Sequence, residues 1–297
     1  MIERDSPWGK LRVADAHVHF FSPGFFKALA TQKNASVEDV GKILGWTMPG
    51  DSLAESWINE LDRHGVERAA LIASIPGDEA SVLAAGQAYP DRFFKHAMVD
   101  PVHPWQPERF TEIDALCLFP AMHCFSLHSA EARRVFKWAA SNGKAVFVHC
   151  GMLSVGVRRK LGLESRFDMR FSNPIDLHPL ALEFSSVPFI VPHFGAGLFR
   201  ETLMVADACP NVYLDTSSSN AWTKYLESPL DLRHVFKRAL DVVGPQRLLF
   251  GTDSSFFPRG WHAPIFDHQA TALYEIGVSQ ADAQAIFGEN LKRIYSR

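Results

Sequence analysis

The stretch L11-R-V-A-D-A-H-V-H19 reads as a buried parallel strand that ends in two histidines. Its apolar residues run with little interruption, as in a strand covered on both faces. Seven further runs share that form, at residues 67–74, 93–100, 114–119, 144–150, 188–194, 212–216 and 247–253. Between them lie segments of helical period with their own punctuation. Residues 51–64 open on the capping residue Asp51 and stop at Gly65, and residues 129–141 stop before Asn142-Gly143. Residues 201–208 and 231–243 behave similarly, the latter ending at Gly244-Pro245, and the tail 279–295 adds one or two helices. Strand and helix alternating eight times predict a (β/α)8 TIM barrel, with an open doubly wound sheet as the alternative. The 297 residues then form one domain, 1–297, since a barrel uses such a length as a single unit.

Two connections exceed what a short loop needs. Residues 20–50 follow the first run and are rich in Phe, Trp and Gly. Residues 151–176 follow the fifth and carry Arg158, Arg159, Lys160, Arg166 and Arg170. In a barrel both lie on the C-terminal face, where active sites are built. The plainer reading of the basic cluster is a solvated loop.

Composition excludes several classes. With 47% hydrophobic and 21% charged residues the chain buries a real core and is not disordered. Thirty basic against 33 acidic residues leave a net charge of −3, which argues against general binding of nucleic acid or an anionic membrane. Thirteen histidines stand against four cysteines, and Cys117, Cys124, Cys150 and Cys209 form no C-x-x-C pair. A disulfide scaffold and a thiolate zinc site are therefore not expected. The first residues, MIERDSPWGKLRV, lack the apolar stretch of a signal peptide, and no run of about 18 apolar residues marks a membrane span. A soluble cytoplasmic protein is the expectation.

Chemistry-bearing residues sit at the ends of the runs. With a two-residue period Val13, Asp15, His17 and His19 share one face of the first strand. His149 closes the fifth run on the face of Ala145 and Phe147. His193 closes the sixth with Phe189 and Val191, one residue after Pro192, which is disfavoured inside a strand. Asp253 closes the eighth with Leu249 and Gly251. A lone H-x-H is weak and is as easily a pair of surface histidines. In a barrel, however, these tips converge at one end, and three imidazoles with a carboxylate suit Zn²⁺ or a similar divalent ion.

The segments H17-V-H19, His149, H193-F-G and G251-T-D253-S resemble the amidohydrolase superfamily. The similarity is to its amidohydrolase 2 branch, which contains aminocarboxymuconate-semialdehyde decarboxylase-like proteins. The tail F287-G-E-N290-L-K-R293-I and N211-V-Y-L-D-T-S217 are also similar to that branch, so the resemblance spans residues 15–294. It implies His17, His19, His149 and Asp253 as metal ligands, and His193 as an acid/base or polarising residue. Binuclear relatives bridge two metals with a carboxylated lysine or a glutamate. The fourth run, D114-A-L-C-L-F-P-A-M-H-C124, has no lysine, so one divalent ion is expected, zinc first and manganese or another second.

Such a site hydrolyses a small amide, ester or lactone with ion-activated water as nucleophile. Asp253 accepts the proton of the attacking water, and His193 polarises the carbonyl or protonates the leaving group. Asp15 is expected to orient an imidazole through its other nitrogen, or else to be satisfied by the eighth strand or by backbone. The alternative chemistry is non-oxidative decarboxylation or a hydro-lyase reaction on a carboxylated aromatic or muconate-like substrate. That needs a cation for the carboxylate, and residues 20–50 offer Lys27, Lys33 and Lys42 but no arginine. A metal-independent lactonase using Asp253 and His193 is a further reading, and an inactive binding barrel the last. Arg259 is a candidate anchor for a substrate carboxylate or a rim ion pair. Trp46 and the phenylalanines at 20–26 form either a lid or loop core, and His262 lies near the mouth. The expected partner is a small molecule. Homo-oligomerisation is compatible with the chain, although no sequence feature shows it.

Overall fold

The computed structural model describes residues 2–48, 50, 52–217, 222–226 and 230–296. A short hairpin, β1 (Arg4–Ser6) and β2 (Gly9–Leu11), leads into eight parallel strands. These are β3 (Val13–Phe20), β4 (Val66–Ala73), β5 (Phe93–Met98), β6 (Ala115–Leu118), β7 (Ala145–Val148), β8 (Phe189–Val191), β9 (Val212–Asp215) and β10 (Leu248–Leu249). They pair in chain order. The last strand then returns to the first through Ala16 N–Phe250 O at 2.8 Å, Asp253 N–His17 O at 3.0 Å and His19 N–Ser254 O at 2.7 Å. These bonds bring the sheet round into a barrel. Ala14, Ala16, Ile72, Phe94, Phe147 and Leu249 fill its interior. A larger apolar layer lies between the strands and the surrounding helices.

Most helices follow their sequence signals. Ser129 caps Ala130–Ser141, accepting from Ala132 N, and Asp231 caps Leu232–Val243, which ends at Gly244. The helix expected over 51–64 spans Leu53–Arg63, and its proposed cap Asp51 lies outside the described residues. The one expected over 201–208 begins two residues earlier, at Phe199. The tail divides into Gln280–Gln284, a π-helical turn at Ala285–Glu289 and Asn290–Tyr295. Residues 20–50 are not open coil. They carry two helices, Pro23–Lys33 and Val37–Leu44, capped by Ser22 and Ser36 and closed by left-handed Asn34 and Gly45. Residues 151–176 carry only the short helix Gly156–Lys160 and two 3-10 turns. Among the described residues no helix is long and apolar enough to cross a membrane.

Two departures from regular strand geometry set the site. On β3, Asp15 pairs with Ala69 and Val18 with Leu71, so Ala16 and His17 together stand opposite Ala70. This bulge reverses the in-out phase between Asp15 and His17. On β8 the ladder stops at Val191, because Pro192 has no N–H to continue it. His193 then adopts φ 55° and ψ 30°, in the left-handed region. Phe189 and Val191 face the helices while Ile190 faces the interior. His193 therefore does not share their strand face, as the period suggested, and reaches the site through a turn.

The far end of the barrel holds a buried polar pair. The hydroxyl of Tyr295 lies 2.6 Å from His96 Nε2, within hydrogen-bond distance, and burial pushes the His96 pKa down to about 3. The unfolded ring takes up a proton as the pH falls through about 6.5, whereas the folded ring stays neutral until far lower. His96 therefore withdraws stability on acidification, by about 2 kcal/mol between pH 7 and pH 5. Urea unfolding at both pH values is expected to show a smaller acid loss in His96→Gln than in the wild type. Identical losses would remove this role.

Candidate active site

His17 and His19 stand at the C-terminal end of β3, His149 one residue after β7, His193 in the turn after β8 and Asp253 after β10. All five line one cavity of about 560 Å³. Among the described residues, His17, His19 and Asp253 form the metal-ligating group whose donor atoms lie within 4.8 Å of one another. His149 lines the same cavity outside that group.

The hydrogen bonds decide which ring nitrogens face inward. His17 Nδ1 lies 2.7 Å from Asp215 Oδ2, a carboxylate that only accepts. His19 Nδ1 lies 2.8 Å from Ser74 Oγ, whose own proton goes to Ile72 O. Both rings therefore donate through Nδ1 and turn Nε2 toward the cavity. The two Nε2 atoms are 3.3 Å apart, and Asp253 Oδ1 lies 3.3 Å from that of His19 and 3.6 Å from that of His17. Three acceptors facing one another repel unless a proton or a cation lies among them. Donor atoms about 2.0–2.1 Å from a tetrahedral zinc stand about 3.3–3.4 Å from each other, close to these edges. His149 Nδ1 is also buried with no hydrogen-bond partner. The residues present fit a divalent ion.

Electrostatics agree with that fit. Burial opposes charge on His17, but the adjacent Asp215 carboxylate outweighs it and holds the His17 pKa above its ordinary value. An ion bound at Nε2 would take the place of that proton. Burial lowers the pKa of His19, of His193 and, most strongly, of His149, keeping these imidazoles neutral as ligation requires. Burial would raise the Asp253 pKa, but the neighbouring imidazoles of His19, His17 and His193, each of which favours the ionised carboxylate when it carries a proton, outweigh it and hold the pKa below the ordinary range. Asp253 has φ 58°, a conformation that aspartate tolerates better than most residues.

Asp15 does not touch an imidazole. The bulge turns it toward the helix layer, where Oδ1 accepts from His17 N and Thr252 N, and Oδ2 from Thr252 Oγ1 and Trp261 Nε1. Instead, Asp215 and Ser217 lie behind the rings. Ser217 Oγ is 2.9 Å from Nδ1 of both His17 and His193, and Ser217 O accepts from His193 Nδ1 at 2.9 Å. Both residues lie within the strand text N211-V-Y-L-D-T-S217. Asp215 carries the signal that marked the other site residues, a polar side chain at the end of an apolar run.

Gly251 makes room for this arrangement. A Cβ there would stand 2.5 Å from Asp215 Oδ1, 3.0 Å from Ser217 Cβ and 3.1 Å from His17 Cβ. Gly251→Ala is expected to cost about 1–3 kcal/mol of stability, read by urea unfolding, and to weaken ion uptake. A variant with wild-type stability and ion affinity would show that the packing is looser.

The cavity walls differ in character. Phe25, Phe21, Trp46 and Phe256 stack in series, with centroid separations of 4.1, 5.7 and 4.2 Å. Trp46 thus belongs to a built aromatic wall. Arg259 lies over Phe256 at 4.6 Å and donates to Asp253 O and Ser255 Oγ, while its buried Nε has no partner. Among the described residues no carboxylate side chain pairs with it in an ion pair. Arg159, Lys160 and Lys224 also line the cavity. The rest of the basic loop turns elsewhere: Arg158 binds Gln32, Arg166 pairs with Glu164 and Arg170 with Asp168. His262 is absent from the cavity lining, and its N–H donates to Ser254 Oγ.

Solved structures share the fold at low identity. The 5-carboxyvanillate decarboxylase LigW of Sphingomonas paucimobilis superposes with a TM-score of 0.67 at 15% identity, over 96% of this chain and 99% of that one. A probable 2-pyrone-4,6-dicarboxylic acid hydrolase of Acinetobacter baumannii, with citric acid bound, gives 0.62 at 14% identity, over 97% and 100%. Protein fluG of Emericella nidulans is 29% identical over 135 residues, covering 42% of this chain but only 15% of that protein. The amidohydrolase family model (Amidohydro_2) matches residues 14–297. The chain belongs to the amidohydrolase family, and it is an enzyme of that superfamily.

Proposed function

We propose that the protein is a mononuclear, metal-dependent hydrolase of a small amide, ester or lactone, working as a single barrel domain. The observation that carries this reading is the triangle of inward-facing acceptors on His17, His19 and Asp253, with His193 across the same cavity. These three residues, with His149 beside them, would hold a divalent ion, which when bound would supply Lewis-acid chemistry toward a carbonyl and water near neutral pH. Zinc suits the imidazole-rich donor set best. Asp253 accepts the proton of the attacking water. His193, its Nδ1–H held by Ser217 O, presents Nε2 to the substrate and passes a proton to the leaving nitrogen or oxygen. Arg259 binds an acidic group on the substrate, and the Trp46 wall receives its flat or apolar part.

The cavity's cations favour a second reading, decarboxylation of a carboxylated aromatic. Residues 20–50 carry no arginine and none of their lysines lines the cavity, but Arg159, Lys160, Lys224 and Arg259 supply four cations from elsewhere. Product analysis separates the two. Purified protein incubated with lactones, cyclic amides and carboxylated aromatics is expected to give hydrolysis products without CO₂. Release of CO₂ at the rate of turnover would establish the second chemistry instead.

A further inference from the structure

The geometry points to the turn D215-T-S217 as the positioning element of the site, with Asp215 fixing the tautomer of His17 and the Ser217 carbonyl fixing that of His193. The inference rests on the ion site proposed above. It concerns how the rings are aimed rather than which reaction they serve.

Asp215 is fully buried at the end of β9, and each of its oxygens has a separate task. Oδ1 accepts from Ser217 N at 2.7 Å, and Oδ2 accepts from His17 Nδ1 at 2.7 Å. With its proton held on Nδ1, His17 offers the Nε2 lone pair to the cavity. Two residues on, Ser217 O accepts from His193 Nδ1, which leaves the Nε2 of that ring free to take or give a proton. Ser217 Oγ lies 2.9 Å from Nδ1 of each ring, so one hydroxyl stands as shared acceptor between them. The ring centroids are 5.0 Å apart. One short segment thus aims both the proposed ligand and the proposed acid/base.

Asparagine at 215 turns this into a directional test. The N–H of Ser217 requires an acceptor, so the amide oxygen of the variant takes the Oδ1 place. The amide NH₂ then faces His17 Nδ1, and two donors cannot share that contact. With its closer partner at 2.7 Å now a donor, and the Ser217 hydroxyl at 2.9 Å able to reverse and donate as well, His17 is expected to accept at Nδ1 and carry its proton on Nε2, where the ion is to bind. The bonds between Ser217 and His193 are left as they were.

The test uses Asp215→Asn in the full chain. Zinc affinity, read by competition with a chromogenic chelator, is expected to fall about 10–100-fold, the usual cost of losing the partner of a ligating histidine. Nitrogen-15 spectra of ion-free protein in alkaline buffer, where imidazoles are neutral, are expected to show His17 protonated on Nδ1 in the wild type and on Nε2 in the variant. His193 is expected to keep its Nδ1 proton in both. A variant with an unchanged His17 tautomer and zinc affinity within about threefold of wild type would overturn the assignment. Should the variant fail to fold, the wild-type spectrum decides alone, since a His17 proton on Nε2 contradicts the inference. Wild-type protein that binds no zinc would instead count against the proposed function, and the tautomer measurement would still stand.

Discussion

Alanine at both His17 and His19 is expected to take the ion content from about one per chain to background and to cut turnover by about 10³-fold or more, since the ion supplies several kcal/mol of transition-state stabilisation. The two positions differ in what else they disturb. The His19 side chain is 20% exposed, so truncating it removes a donor at little structural cost. His17 is buried against Asp215, and its loss leaves that carboxylate buried without its imidazole partner. Such an uncompensated charge destabilises by about 3–5 kcal/mol. His19→Ala alone is therefore the cleaner probe, and the double variant needs a check of folding by circular dichroism. Ion content that survives in a folded double variant would show that the ligands lie elsewhere.

The second large effect is expected at His193. Asparagine suits the left-handed backbone found there and can donate its amide to Ser217 O, so the turn after β8 keeps its shape. What disappears is the ring nitrogen that moves a proton. Turnover is expected to fall by about 10²–10⁴-fold, the span of positioned acid–base catalysis. Ion content is expected to stay at the wild-type level, because His193 lies outside the acceptor triangle. Unchanged kinetics would remove the catalytic role, and loss of the ion would make His193 a ligand.

Much of the fold was legible because parallel barrel strands are buried on both faces and announce themselves as short apolar runs. The termini of those runs marked His17, His19, His149, His193 and Asp253, which line one cavity. Less legible was how each side chain arrives there. Strand period alone put Asp15 beside His17, whereas the bulge opposite Ala70 separates them. A bulge depends on the register of two strands distant in sequence, and no local pattern in V-A-D-A-H-V-H encodes it. Pro192 did signal an irregularity, but its consequence, a left-handed His193, follows from the turn that packs behind it. Asp215 shows a different limit. It ends its run as the other site residues do, yet a carboxylate at a strand tip acquires meaning only when the imidazole it holds is known. The aromatic wall was foreseen as lid or loop core. Its stacking of Trp46 on Phe256 joins residues 210 positions apart, which no window of sequence brings together.

In the proposed function, chemistry depends on a cation held by His17, His19 and Asp253. Elemental analysis of protein purified without added metal, paired with activity before and after dialysis against a chelator, tests it most directly. About one divalent ion per chain is expected, with activity lost when the ion is removed and regained when zinc is returned. Protein with no ion and undiminished activity would contradict it.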